Sequence, residues 1–70
     1  MSIYEFKEGN LEIIKGFNTK CYWVYSNRKD AYLDTPLSIY RYTEEDVINW
    51  LFDDKDNITD EDWIYEDIDL

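Results

Sequence analysis

Seventy residues carry 17 carboxylates against seven lysines and arginines and no histidine, a formal net charge of −10. A chain of this length forms one domain at most, residues 1–70, and buries only about 60% of the surface its unfolded form exposes. A single cysteine, Cys21, excludes an internal disulfide, and one thiol without histidine excludes the usual zinc sites. Density in the core has to come from large side chains, and the 3 Trp, 7 Tyr and 3 Phe supply them. Each can bury about 150–250 Å².

In chain order, the opening SIYEF is β-prone, and Glu8, Gly9 and Asn10 form a turn signal before a second strand-like run from Leu11 to Phe17. Asn18, Thr19 and Lys20 make another turn. Cys21–Tyr25 (CYWVY) is the most β-prone window, with Cys21, Trp23 and Tyr25 on one face and Tyr22 and Val24 on the other. Ser26 to Asp30 is turn-like, Ala31 to Leu33 is a short strand, and Pro36 marks an edge or corner. Leu37 to Tyr42 adds a final strand.

Thr43 has the character of a helix N-cap, since its hydroxyl can accept from an N–H two or three residues on while Glu44, Glu45 and Asp46 occupy the positive first turn. Val47, Ile48, Leu51 and Phe52 recur at helical spacing with Trp50 beside them, so residues 44–53 are expected to be helical. Trp23, Val24, Ile48, Leu51 and Phe52 are the expected core. Residues 53–57 are too charged for a core and read as a solvated loop. Thr59–Asp62 repeats the Thr-x-x-acid pattern and suggests a second capped turn. Beyond it, a second short helix, a strand on the sheet edge and an unstructured tail all suit residues 63–70, and crowded like charge favours a tail that is loose when free. The expected architecture is α+β: a small antiparallel sheet of three to four strands packed with one C-terminal helix. Residues 1–42 form the β-rich part and 43–70 the acidic helical part.

Charge is segregated between those parts. Residues 43–70 hold twelve carboxylates and one cation, Lys55, whereas residues 1–42 hold five acids and six bases. Solubility needs no such separation, and crowding like charges tends to destabilise a fold, so the pattern points to the kind of partner. A solvated acidic surface is the plainer alternative. The run DDKDNITDEDW fails as a calcium loop: counted from Asp54, Ile58, Thr59 and Tyr65 stand at positions 5, 6 and 12, where a ligand, Gly and Glu are needed. Cys21 lacks a histidine to activate it, the serines lack a nucleophile-elbow setting, and Gly9 and Gly16 make no phosphate-cradling loop. The expectation is therefore a non-enzymatic protein with no cofactor and no metal.

A dense row of carboxylates can occupy, in place of DNA, a groove lined by Lys and Arg. Anionic surfaces are repelled by nucleic acid and by anionic membrane leaflets, so neither is an expected direct partner. No apolar run reaches the roughly 18 residues of a membrane span. The expected contact set is Glu44, Glu45, Asp46, Asp53, Asp54, Asp56, Asp60, Glu61 and Asp62, with Trp63 and Tyr65 as apolar anchors beside Trp50 and Phe52. Seven tyrosines exceed what a thin core can hold, which leaves a second reading: an adaptor or antitoxin-like partner docking through a tyrosine-rich sheet that includes Tyr22, Tyr25 and Tyr40.

The segments Tyr32–Asp34 (YLD), Tyr42–Glu45 (YTEE) and DDKDNITDEDWIYEDID resemble the acidic, DNA-mimicking stretches of phage and plasmid antirestriction proteins of the ArdA type, over about half of the chain. The chain is shorter than one such protein and lacks its repeated domains. More broadly, a short, acidic, Tyr-rich sequence is similar to small phage-encoded inhibitors of host defence, anti-CRISPR proteins among them. The resemblance implies inhibition by blocking the basic nucleic-acid-binding surface of a host protein, such as a CRISPR effector or restriction complex. The single free thiol fits a reducing cytosol, and a monomer or homodimer in the bacterial host cytoplasm is expected.

Overall fold

A computed structural model describes residues 2–6 and 9–70, with backbone alone for 2–4. Glu8 of the first expected turn lies outside the described residues. The class is α+β, with an antiparallel sheet that has more strands than the three to four expected. β1 (Ser2–Phe6), β2 (Gly9–Gly16), β3 (Cys21–Ser26), β4 (Ala31–Leu33), β5 (Leu37–Ser38) and β6 (Trp63–Ile64) make six, and α1 spans Glu44–Asp54. The order across the sheet is β1-β2-β3-β4-β6, and β5 pairs with β3. β4 takes the Tyr25–Ser26 end of β3 and β5 takes the Cys21–Tyr22 end, so the chain passes Pro36 between two short strands that share one edge of β3.

Register decides which side chains meet the helix. Leu11 faces Ser26, Ile13 faces Val24, Ser26 faces Ala31 and Leu33 faces Trp63. Directly paired residues share a face, and this face is closed by Val47 and Leu51 of α1 together with Ile58. Ser26, fully buried at the end of β3, keeps its hydroxyl engaged by accepting from the Lys29 N–H at 3.2 Å. The opposite face pairs Glu12 with Tyr25, Ile14 with Trp23, Tyr25 with Tyr32 and Tyr32 with Ile64. Cys21, Trp23 and Tyr25 thus lie opposite Tyr22 and Val24, as alternation implies.

Two hairpins close alike. Four residues, 17–20 and 27–30, separate the paired ends Gly16/Cys21 and Ser26/Ala31, and the last of each is left-handed: Lys20 at φ 57° and Asp30 at φ 50°. Asp tolerates that region better than Lys does. Gly9 at φ +98° is required twice, because a Cβ there would also come within 2.6 Å of Arg28 Cβ.

The expected strand over Leu37–Tyr42 shortens to two residues. Ser38 explains the stop: its Oγ accepts from the Tyr40 N–H at 3.2 Å, and its carbonyl accepts from Arg41 N–H at 3.3 Å and Tyr42 N–H at 3.0 Å. Such local bonds compete with a ladder. Residues 55–57 form a 3₁₀ turn where a loop was expected. Thr59 and Asp62 build a second capping box around a 3₁₀ turn, Asp60–Asp62, but no second helix follows. Trp63 leaves in extended conformation to pair with Leu33, and the Asp34 N–H donates to the Asp62 carbonyl at 2.7 Å. Tertiary pairing outweighs the local helix signal, and the acidic part contributes a strand to the β-rich part. Nor does the tail hang loose from the sheet. Asn18 N–H donates to the Leu70 main-chain oxygen at 2.5 Å and Asn18 Nδ2 donates to Asp69 Oδ1 at 3.1 Å. A Cβ on Gly16 would lie 3.2 Å from that Leu70 oxygen and would collide with Thr19 Oγ1, which places Leu70 on the face opposite the helix.

Candidate functional site: an acidic helix and its flanking turns

The helix start is built as its sequence implies. Thr43 Oγ1 accepts from the Asp46 N–H at 3.2 Å, while Asp46 Oδ2 accepts from the Thr43 N–H at 2.8 Å. Glu44, Glu45 and Asp46 then sit where the helix dipole favours negative charge. The other end is the reverse. Asp53 and Asp54 occupy the last turn with no basic residue inside it, Lys55 follows as the C-cap, and Asp56 comes next. Carboxylates at a helix C-terminus oppose the dipole by about 0.3–1 kcal/mol each. Asp54 also serves as the N-cap residue of the 3₁₀ turn and accepts from Asn57, and Asp56 lies in the first turn of that element, so only Asp53 lacks a local structural role there.

Most of the expected contact residues reach the surface. Glu45, Asp46, Asp53, Asp56, Asp60, Glu61 and Tyr65 are exposed, whereas Glu44, Asp54 and Asp62 are half-buried. Asp54 Oδ1 accepts from Asn57 Nδ2 at 3.3 Å, and Asp62 Oδ2 accepts from the Thr59 N–H at 2.7 Å as its cap. Asp60 meets Lys29 Nζ at 2.9 Å with its side chain 94% exposed, an ion pair worth about 0–1 kcal/mol. Asp62 and Asp46 are thus structural as well as charged. Trp63 is a correction. It lies in the core at 6% exposure, with Lys29 Nζ 5.9 Å from its ring centre, and cannot anchor a partner. Phe52, expected in the core, is instead 48% exposed and meets the Phe6 ring at 5.3 Å between centres, tilted by 40°.

One feature was not anticipated. Asp46, Asn49, Trp50 and Asp53 stand at i, i+3, i+4 and i+7, one stripe of α1, and with Leu37, Arg41 and Tyr42 they line an open cleft of about 580 Å³. Trp50 and Leu37 pack on the core from below, and the Arg41 guanidinium lies 5.9 Å from the Tyr42 ring centre. The helical half of this cleft is readable from spacing alone. The other half required the turn after β5.

The three tyrosines of the adaptor reading do not share a surface. Tyr22 packs against the core, Tyr25 lies on the opposite sheet face, and Tyr40 is 77% exposed in the turn after β5. On that opposite face Tyr32 stands 5.2 Å from Tyr25 and 6.3 Å from Trp23, ring centre to ring centre. The Tyr25 hydroxyl donates to Asp30 Oδ1 at 2.5 Å. That hydrogen bond first, then desolvation and the Asp30 charge, raises the Tyr25 pKa above the ordinary tyrosine value. Trp23 Nε1 donates to Thr19 Oγ1 at 2.9 Å.

Among the described residues no group of three or more His, Cys, Asp or Glu is placed to hold a metal ion, and no helix is long and apolar enough to cross a membrane. Comparison with protein-family models, curated proteins and solved structures yields no match for this chain.

Proposed function

We propose that this protein is an anti-defence inhibitor of the phage type, a DNA mimic whose carboxylates occupy the basic nucleic-acid-binding surface of a host protein. The observation that carries the reading is the placement of Asp53, Asp54 and Asp56 at and beyond the C-terminal end of α1. Three acids against one cation, Lys55, stand there, and the exposed Asp53 opposes the helix dipole, a placement that recognition accounts for better than solubility does. Asp60 and Glu61 extend that run of negative charge through the second 3₁₀ turn, and Glu44 and Glu45 add charge at the far, N-terminal end of α1. Tyr65, 64% exposed, supplies apolar contact area at its end. Attraction between such a surface and a cationic groove speeds encounter and rejects wrong partners, at the cost of strong salt dependence.

The test is capture from a bacterial host lysate on the immobilised protein at salt of about 50 mM and about 500 mM, where screening differs severalfold. Nucleic-acid-binding proteins should be retained at low salt, released at high salt and displaced by duplex DNA. Charge reversal of Asp53, Asp54 and Asp56 should abolish capture, and Glu8→Lys should not. Retention that resists both salt and DNA refutes the proposal. Tyr22, Tyr25 and Tyr40 share no surface, so the adaptor reading is tested on Tyr25 and Tyr32, which pair on one sheet face. Loss of retention on substituting them with the acids intact favours an adaptor.

A further inference from the structure

We infer that the cleft between α1 and the turn after β5 is a receptor for an arginine side chain of a basic partner protein. The inference rests on the reading above and names the chemistry of one contact within it. The floor is apolar and aromatic: Leu37 and the Trp50 indole pack on the core and present a surface continuous with it, and Tyr42 stands at one wall. The rim is anionic. Asp46 and Asp53 lie two helical turns apart, about 10 Å along the axis, with Asn49 between them as a neutral donor and acceptor.

That combination discriminates among cations. A guanidinium is planar and weakly hydrated, stacks on aromatic rings, and offers donors in a fork matched to carboxylates. Its methylene stem can lie along Leu37 and the indole. An ammonium is a compact, strongly hydrated charge that gains little from such a floor. The cleft's own cation, Arg41, is held toward the Tyr42 ring, so it narrows one side and sets a like charge beside the occupant. Charge complementarity makes the occupant part of a cationic protein, because the surrounding chain carries −10 and repels nucleic acid.

The probe is a short synthetic peptide bearing two arginines, with its lysine counterpart of equal length and charge. Each is titrated at low salt against the ¹⁵N-labelled full chain, following the Trp50 indole N–H resonance, assigned through Trp50→Phe. The arginine peptide should shift it saturably and bind about fivefold or more tighter than the lysine peptide, a difference of about 1 kcal/mol. Asp53→Asn should weaken arginine-peptide binding by about fivefold, whereas Glu66→Gln, an equal change in net charge outside the cleft, should change it less than about twofold. Asp53→Asn leaves the capping box intact, and Arg41→Gln should tighten binding.

Equal affinity for the two peptides, or equal losses from Asp53→Asn and Glu66→Gln, overturns the cleft as a receptor and leaves only diffuse attraction. Absence of any Trp50 shift overturns it as well. Neither result touches the broader proposal, which stands or falls on salt-sensitive, DNA-displaceable capture from lysate. Loss of that capture with arginine selectivity intact would separate the two in the other direction.

Discussion

Neutralising Asp53 and Asp54 together should make the protein more stable. The last four carbonyls of a helix lack intrahelical partners and carry about half a negative charge, and Asp53 and Asp54 sit beside them, two carboxylates against the single cation Lys55 at the C-cap. Removing each clash is worth about 0.3–1 kcal/mol. Relieving repulsion from Asp56 adds about 0.2 kcal/mol. Asn has nearly the helix propensity of Asp, and an amide oxygen at 54 still accepts from Asn57 Nδ2. The double variant Asp53→Asn/Asp54→Asn should therefore gain about 1 kcal/mol, or about 4–8 °C in Tm for a domain of this size. Thermal unfolding followed by circular dichroism at low salt measures it, and the gain should shrink as the Debye length falls toward about 3 Å at 1 M. The mirror variant Glu44→Gln/Glu45→Gln should lose stability at low salt, since its charges lie at the favourable end. The double Asn variant being equal or less stable at low salt, or both pairs moving the same way, would refute the claim that these acids oppose the fold.

Further outcomes follow from packing, capping and titration. Leu51→Ala, at a position 1% exposed, should cost about 2–5 kcal/mol in denaturant unfolding, about half of the roughly 4–10 kcal/mol expected for 70 residues. Thr43→Ala should cost about 1 kcal/mol by breaking the capping box, with helical signal lost before the sheet's. Lys20→Asn should stabilise by about 0.5–1 kcal/mol, because Asn accepts the left-handed conformation that Lys20 holds at φ 57°. For Tyr25 the folded pKa is raised, so between the ordinary tyrosine value near 10 and the folded value the unfolded chain has lost a proton that the folded chain keeps. Stability contributed there is fully present below about pH 10 and is lost as pH rises through the folded value. Asp30→Asn should flatten that decline in urea midpoints taken across the alkaline range.

Local chemistry was legible where it was self-contained. Thr43 with Asp46, and Thr59 with Asp62, make the capping boxes their spacing implies, and the alternation through Cys21–Ser26 sorts its side chains to the observed faces. What sequence could not supply was the long-range competition. After the capped turn a helix, an edge strand and a loose tail all suit the sequence, and pairing with Leu33 across 30 residues selects the strand and draws Trp63 into the core. Phe52 fits the helical stripe but sits one step past Leu51, far enough round the helix to face Phe6 and solvent. The acids of the candidate surface were readable from composition. The cleft beside them was not, because Leu37, Arg41 and Tyr42 read as strand until Ser38 is seen to hold a turn.

Trp63 pairing with Leu33 also sets the thermodynamics of the charged segment. Residues 55–62 are held at one end by Val47 and Leu51 and at the other by β6, with Ile58 buried midway. The carboxylates are thus carried on a pinned arch instead of a free strand of polymer. A receptor meeting that arch gives up little chain entropy to order it, and immobilising a flexible segment is what usually erodes affinity when a disordered tail docks. Replacing Trp63 with a residue that cannot pack on Leu33 would cut the arch loose without removing a single charge, and ordering it again would cost chain entropy.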